Sequence, residues 1–287
     1  MIKVFCGDMN LSETLLSGQC FRVCKLEDGS FDVILSDRVI NVFQRGSYLF
    51  VNSNNYDDLE NVVINYFDLN RNYSEIINNL KMNNLDFYDV LDKCSSYRIL
   101  RQDPLEMLFS YIISQNNNVK RIMGSIELFC KLYGNVVNFR DKEYYLFPTY
   151  DRIINLKLED LQVLKIGFRD KYILSAIEFL KHNKDFVVVI NNMSTSDALN
   201  YLMQIKGVGI KVASCILLFG FARFDVFPID TWVIKFVKNF YGFDGNVLQI
   251  KVFLEKKFDK NVGLCIQYMF HYNRNIKEHI LLDNLSK

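Results

Sequence analysis

Hydrophobic and polar positions alternate through the first part of the chain. Over residues 21–52 this alternation is typical of strands, and Asp28-Gly29 and Arg45-Gly46 mark turns between them. The pattern predicts an antiparallel meander. Three stretches with helical spacing flank it, at 11–16, 56–68 and 74–81. Ser74 is the predicted N-cap of the third.

From about residue 95 onward the hydrophobic spacing becomes helical. Asp103, Pro104 and Glu106 supply an N-cap, a proline at the first helical position and a capping-box glutamate. Asparagines at 116–118 interrupt the pattern, because Asn favours caps and turns. Further helices are predicted at 119–133, 150–156, 169–181, 196–205, 210–220, 230–241, 246–258 and 261–273. The expected fold class is α+β, with an antiparallel β-sheet domain and flanking helices at 1–94 and a mostly α-helical core at 95–287.

Charge divides the chain in the same place. The net charge of the 287 residues is +1, which neither indicates nor excludes nucleic acid. Residues 1–93 carry 8 Lys/Arg and 14 Asp/Glu, whereas residues 94–287 carry 26 and 19. Any surface for an anionic polymer is therefore expected on the helical part.

The cysteines indicate a reducing compartment. There are seven, an odd number, and no two have the Cys-x-x-Cys spacing. No signal peptide and no apolar run of membrane-spanning length is evident. The short chain without a targeting segment suggests a cytoplasmic, prokaryotic protein. The three histidines lack metal-ligand spacing.

A glycine-rich turn, Lys206-Gly207-Val208-Gly209, separates two helical patterns. Gly207 and Gly209 are expected to permit positive φ angles and close backbone approach. The amides of 207–211 would lie at a helix N-terminus, which is a site for an anion. An ordinary helix–helix turn is the simpler alternative. A dinucleotide-binding fingerprint does not fit, because no strand precedes the glycines and no third glycine follows.

Lys211 and Asp230 are the candidates for chemistry. Lys211 begins a nearly all-apolar helix pattern, so we expect it at the edge of a buried pocket. Burial disfavours the charged ammonium of a lysine, and a neutral amine is a nucleophile that forms Schiff bases. Asp230 follows Pro228-Ile229 where a helix should start, so it is a candidate N-cap as well as a proton acceptor. A lysine that extends to solvent is the alternative for Lys211.

These residues resemble the helix-hairpin-helix DNA glycosylases. A lysine two residues after the hairpin is similar to the bifunctional members, which cut the glycosidic bond and also nick the strand. Three more segments narrow the resemblance to the 8-oxoguanine DNA glycosylase/AP lyase family, bacterial type: Leu16–Arg22, Ser114–Arg121 and Gly263–Phe270. Some helix-hairpin-helix glycosylases carry an iron–sulfur cluster on four closely spaced C-terminal cysteines. This chain has no such set after Cys265, so the endonuclease III and adenine-glycosylase branches fit less well.

The resemblance implies a pocket for a base flipped out of the duplex. Gly18 matches the glycine whose carbonyl accepts the N7–H of 8-oxoguanine, and Phe270 matches the stacking ring. Cys215, one helical turn after Lys211, is expected to form the other wall. The glutamine that reads the pairing edge in animal enzymes aligns with Ile266, so Gln267 is the candidate here. Core packing for Phe270 and a simple turn for Gly18 are the alternatives.

The resemblance also implies contacts with the duplex. Asn116 and Arg121 match residues that fill the gap left by the flipped base and hold its partner. Phe168 and Arg169 match a wedge residue and its neighbouring arginine. A solvated basic face is the alternative for the arginines.

Phosphate contacts are expected from Gly207, Gly209 and Trp232, although animal members carry a histidine in place of Trp232. The backbone carbonyls of Met203, Ile205 and Val208 are expected to bind a monovalent cation near the hairpin. No organic cofactor is expected.

The sequence therefore predicts a monomeric base-excision repair enzyme that acts on double-stranded DNA containing 8-oxoguanine. Cleavage of the glycosidic bond would proceed through a lysine Schiff base, and β-elimination would nick the strand. An alkylated-base glycosylase of the same superfamily is one alternative, but such enzymes usually lack the lysine. A non-catalytic helix-hairpin-helix DNA-binding protein is another, and it needs no Lys–Asp pair.

Overall fold

The structure, a computed structural model, describes the backbone of residues 1–285 and the side chains of residues 1–274. It begins with an antiparallel sheet of five strands, in the order β1-β5-β4-β3-β2. The strands are β1 (Ile2–Phe5), β2 (Val23–Lys25), β3 (Phe31–Ile34), β4 (Val39–Arg45) and β5 (Tyr48–Ser53). The predicted meander is confirmed, and Gly29 and Gly46 adopt the positive φ angles that its turns need.

One face of this sheet is covered by two helices, α1 (Leu11–Leu16) and α2 (Leu59–Tyr66). Alternate residues such as Val33, Val42 and Val51 point into a small core beneath them. Strand β1 has little alternation and was not predicted, but it pairs with β5 and closes the sheet edge next to α2.

The rest of the chain is helical except for one hairpin of strands. The helices are α3 (Tyr73–Asn83), α4 (Tyr88–Lys93), α5 (Pro104–Ser114), α6 (Val119–Tyr133), α7 (Tyr150–Ile153), α8 (Leu158–Gln162), α9 (Arg169–His182), α10 (Phe186–Asn192), α11 (Thr195–Leu202), α12 (Ile210–Gly220), α13 (Thr231–Tyr241), α14 (Val247–Phe258) and α15 (Val262–Leu285). The hairpin of β6 (Val136–Phe139) and β7 (Lys142–Tyr145) follows α6.

The predicted N-caps of α5 and α3 have different outcomes in the structure. The Asp103 carboxylate accepts the Glu106 amide at 2.9 Å, so the predicted N-cap of α5 is confirmed. Ser74 as N-cap of α3 was wrong, because Asn72 accepts the Glu75 amide and starts the helix earlier. The Glu106 side chain lies near Arg22, which gives it an ion-pair partner in the core.

Packing does not divide the chain at residue 94. Tyr73, Ile77 and Leu80 of α3 belong to the same large core as the later helices, whereas Leu100 belongs to the small core under the sheet. Helices α3 and α4 therefore pack with the helical domain. The charge balance and the hydrophobic spacing both change near residue 94, but neither reports which core a helix joins.

Helix α12 lies at the centre of the large core. Eight consecutive residues, Val212–Phe219, are buried. It packs along α5, where the Tyr111 and Phe219 rings stack at 5.5 Å between centroids. A Cβ at Gly220 would lie 3.2 Å from Pro104, so the two helices approach closely at that end. The opposite end of α12 carries Lys211 to the surface.

Within the described part of the chain, no helix is both long and apolar enough to cross a membrane. All seven cysteines have free thiols, and six of them are buried.

Glu106 and Arg22 join the helical core to the segment that enters the sheet, with Nη1 and Oε2 3.7 Å apart. Burial is the main cause that raises the pKa of Glu106 from 4.5 to about 7, and Arg22 opposes the rise. The folded protein thus holds the Glu106 proton more tightly than the unfolded chain does. This contribution to stability is complete below pH 4.5 and is lost as the pH rises towards 7.

We predict that wild-type protein loses stability relative to Glu106→Gln as the pH rises through this interval. The glutamine cannot ionise, so the variant lacks this part of the pH dependence. Urea unfolding of both proteins at several pH values measures the effect. Parallel stability curves for the two proteins would contradict the assignment.

Candidate functional site

The hairpin between α11 and α12 places glycine where the backbone needs it. Gly207 has a φ of +91°, and a Cβ there would meet the Tyr172 ring of α9 at 2.2 Å. The Val208 amide donates to the Ile205 carbonyl at 2.9 Å and closes the turn. Tyr172, which sequence reasoning missed, therefore fixes the hairpin against α9.

Gly209 differs from the expectation of a positive φ. Its φ is −92° and its ψ 177°, an extended conformation open to any residue, and it is the N-cap of α12. No atom lies within 4 Å of where its Cβ would be. No side chain caps this helix end. The first amides of α12 are therefore left to an acceptor from outside the hairpin, and the backbone there is open to approach.

Lys211 and Asp230 meet at the start of their two helices. Lys211 Nζ lies 3.3 Å from Asp230 Oδ2. Asp230 Oδ1 accepts the amides of Trp232 and Val233, each at 3.0 Å. Asp230 is thus the N-cap of α13, as predicted, and uses its second oxygen on the lysine. Asp230 therefore combines the two roles that the sequence suggested, a helix cap and a partner for Lys211.

Lys211 lies at the edge of a pocket, as expected, but it is more exposed than its apolar helix pattern suggests. Its side chain is 56% exposed, and that of Asp230 is 34% exposed. The first turn of α12 projects beyond the apolar core that its later turns enter, so the amine reaches the surface. Water therefore reaches this amine in the protein alone.

The pair lies at the edge of a cavity of about 160 Å³. The cavity brings together all four residues predicted to recognise a base: Gly18, Cys215, Gln267 and Phe270. They come from the segment after α1, from α12 and from α15. Ile266 and Trp232 also line it, as do Tyr111 and Phe219, which sequence reasoning did not single out.

One wall of the cavity is the segment that contains Gly18. Gly18 has a φ of +89°, which favours glycine. The next residue, Gln19, is buried; its amide nitrogen donates to the Thr14 and Arg98 carbonyls and its oxygen accepts the Leu100 amide. Gln19 therefore holds the left-handed turn in place.

The rest of the cavity lining carries rings and a thiol. Phe270 is 41% exposed, so core packing does not explain it. The Trp232 ring contacts it edge to face, with centroids 5.0 Å apart. Cys215 is buried, and burial raises the pKa of its thiol to about 12, so this wall is neutral and weakly polar.

The residues predicted to contact the duplex form one surface beside the hairpin. Asn116 and Arg121 are exposed, and Phe168 is 50% exposed. The Phe168 ring contacts Tyr172 edge to face at 5.6 Å. Since Tyr172 also packs against Gly207, the hairpin and Phe168 are neighbours.

Arg169 has a different environment from these exposed residues. It is buried, and its guanidinium donates to the backbone carbonyls of Ile166, Gln115 and Asn116. Asn116 has a left-handed φ of +46°. Arg169 therefore ties the asparagine loop to the start of α9.

The carbonyls expected to bind a cation belong to the hairpin turn. The Ile205 carbonyl already accepts the Val208 amide, which leaves it one lone pair. A cation on Met203, Ile205 and Val208 stays a prediction.

Comparison with known proteins supports the sequence resemblance. Residues 1–108 match the family model for the N-terminal domain of 8-oxoguanine DNA glycosylase. Residues 109–260 match the model for the HhH-GPD superfamily base excision DNA repair proteins.

Individual relatives are similar over most of the chain. A probable N-glycosylase/DNA lyase of Methanothermobacter thermautotrophicus is 30% identical over 70% of this chain and 73% of its own. The 8-oxoguanine glycosylase/lyase of Clostridium acetobutylicum, solved with duplex DNA containing cytosine opposite 8-oxoG, is 32% identical, with a TM-score of 0.87 over 94% of this chain and 93% of that one. The structure of MBOgg1 with a low-affinity DNA ligand is 35% identical, with a TM-score of 0.89 over 96% of both chains.

The two hairpin glycines give a matched test. Gly207→Ala forces a side chain into the left-handed region and onto the Tyr172 ring, so we expect a loss of about 1–3 kcal/mol in the free energy of unfolding. Gly209→Ala meets no clash and no strained φ, so it should cost less, about 0.5–1 kcal/mol, because alanine is a poorer N-cap than glycine. Urea unfolding measures both. Equal destabilisation would contradict the geometry of the turn.

Proposed function

Because the chain belongs to the 8-oxoguanine DNA glycosylase/lyase family, we propose that Lys211 is the nucleophile with which it excises 8-oxoguanine from duplex DNA and nicks the strand. The observation that carries this proposal is the Lys211–Asp230 pair, 3.3 Å apart, at the edge of the cavity between Gly18 and Phe270. A protein that only bound DNA through its hairpin would have no need of a Lys–Asp pair beside a cavity.

Binding of DNA would supply the desolvation that the protein alone does not. A duplex over the hairpin would cover the exposed amine of Lys211 and exclude water from it. In that setting Asp230 Oδ2 is placed to accept the ammonium proton. Once that proton has passed to the departing base, the carboxylate would again be charged and would balance the positive charge that develops on the sugar. Its other oxygen stays on the helix amides, so the carboxylate does not have to move.

Base release would then follow from attack on the sugar. The neutral amine of Lys211 forms a bond to C1′, and the bond from C1′ to the oxidised base breaks, so that the base leaves with the electron pair and takes up a proton. The C1′–O4′ bond opens next and leaves a Schiff base between Lys211 and the sugar. Gly18 and Phe270 would hold the base during this step, with Cys215 and Gln267 at its edges.

Strand cleavage uses the same covalent intermediate. A Schiff base acidifies the C2′ proton, because the electrons left behind can move into the C=N bond. Loss of that proton expels the 3′ phosphate by β-elimination, which nicks the strand 3′ to the lesion. No other cofactor enters these steps.

The duplex would lie across the hairpin and the surface beside it. The uncapped amides at the start of α12 suit a phosphate. The amide of Trp232 is already bonded to Asp230 Oδ1, so a phosphate contact of Trp232 would fall to its indole N–H. Asn116, Arg121 and Phe168 would enter the space that the flipped base leaves, and Arg169 would act through the loop it holds.

We also propose that the enzyme acts as a monomer in the cytoplasm of a prokaryote. The free cysteines are typical of a reducing compartment, and the similarity to the Clostridium protein supports the prokaryotic assignment.

Replacing Lys211 tests the nucleophile. We expect Lys211→Gln to abolish both the release of 8-oxoguanine and nicking, because an amide cannot form the Schiff base, while lesion DNA still binds. Gel assays of excision and nicking, with a binding assay alongside, measure the three properties. Nicking by the purified variant would exclude Lys211 as the nucleophile.

Asp230→Asn distinguishes the role of Asp230 as N-cap of α13 from its proposed role as a general base. Asn caps helices about as well as Asp, so the free energy of unfolding should change by less than about 0.5 kcal/mol. Loss of the carboxylate beside Lys211 should slow base release by about 100-fold or more, the usual weight of a general base. Single-turnover excision and urea unfolding measure the two effects. Normal excision would reduce Asp230 to a helix cap.

A further inference from the structure

We propose that Arg274 is a positioning residue of the base cavity, which sets where the Gly18 wall lies relative to the Phe270 ring. This inference rests on the proposed function and assigns a role to a residue outside the segments that resemble the family. Arg274 is not among the residues that line the cavity. It acts through the backbone that leads to Gly18.

Arg274 links α15, which carries Phe270, to the end of α1, which leads to Gly18. Gln267, Phe270 and Arg274 are three and four residues apart on α15, so they share one helix face. Arg274 Nη1 donates to the carbonyl of Leu16 at 3.0 Å. It is also the nearest atom to where a Cβ at Gly18 would lie, at 4.0 Å. The helix that presents Phe270 thus binds the chain two residues before Gly18.

A second contact joins α1 to α15, three residues earlier in each helix. His271 Nε2 lies 3.5 Å from Glu13 Oε2, and the Ser96 hydroxyl donates to that same oxygen at 2.9 Å. The buried imidazole also stacks on the Tyr97 ring at 5.0 Å. Helix α1 is therefore held to α15 at both Glu13 and Leu16.

These contacts matter because the two walls come from distant parts of the sequence. Their relative position decides whether the Gly18 carbonyl reaches the edge of a base stacked on Phe270, and the contacts between α1 and α15 help to fix it. Leu16 ends α1, where a carbonyl has no partner within the helix. A guanidinium on that carbonyl holds the chain just before the left-handed Gly18. Because Arg274 is exposed, its replacement leaves no buried void.

The test separates the cavity from the nucleophile. A DNA duplex with an abasic site puts no base into the cavity, but its nicking still needs Lys211. We expect Arg274→Met to slow single-turnover release of 8-oxoguanine by about 10-fold, the usual effect of losing a hydrogen bond to a charged group. Nicking of duplex DNA with a preformed abasic site should stay within about 2-fold, since Lys211 and Asp230 are untouched. Arg274→Lys keeps one donor and should recover part of the excision rate.

Arg45→Met is the matched control, because Arg45 is exposed on β4, at the end of a strand and outside the cavity. Its excision and nicking rates should equal those of wild type. Normal excision by Arg274→Met, or an equal loss of excision and nicking, would overturn the proposal. If Arg274→Met does not fold, Arg274→Lys gives the same comparison. Wild-type protein without either activity would instead refute the proposed function.

Discussion

The burial of α12 is the constraint on which the site depends. Eight residues in a row lie inside the large core, so the helix can neither rotate nor slide without exposing apolar surface. Its packing on α5 and the fit of Gly207 over Tyr172 fix where it begins. Lys211 in the first turn is consequently held at a defined point on the surface, and Cys215 one turn later is held in the cavity wall.

Asp230 shows how the site combines structure with reactivity. An exposed ion pair contributes only about 0–1 kcal/mol to stability, so its pairing with Lys211 adds little to the fold. What matters is the position of the Asp230 carboxylate, because two amide hydrogen bonds to Oδ1 orient Oδ2 towards the amine. The same contact becomes stronger when a bound duplex removes water from it. In the proposed complex the cavity walls, the lysine and the hairpin amides would then act on one nucleotide.

The sequence predicted the long elements and the site residues better than their environments. Helices with clear caps and spacing, such as 119–133 and 210–220, match the structure residue for residue. Short elements such as β1, α8 and α10 were missed, since a few residues carry little periodicity. Exposure of Lys211 was not predictable from an apolar helix pattern, because the pattern does not show where the helix leaves the core. Tyr172 and Arg274 act through contacts with residues far away in sequence, which no local pattern reports.

The most direct test of the account is borohydride trapping of the wild-type protein on a duplex with one 8-oxoguanine. Borohydride reduces a Schiff base to a stable amine, so only a protein joined to the sugar through an amine becomes linked to DNA. We predict a covalent adduct with damaged DNA, none with an undamaged duplex and none with Lys211→Gln. Tight binding to the lesion with no adduct from the wild-type protein would contradict it, and would leave Lys211 as a phosphate contact.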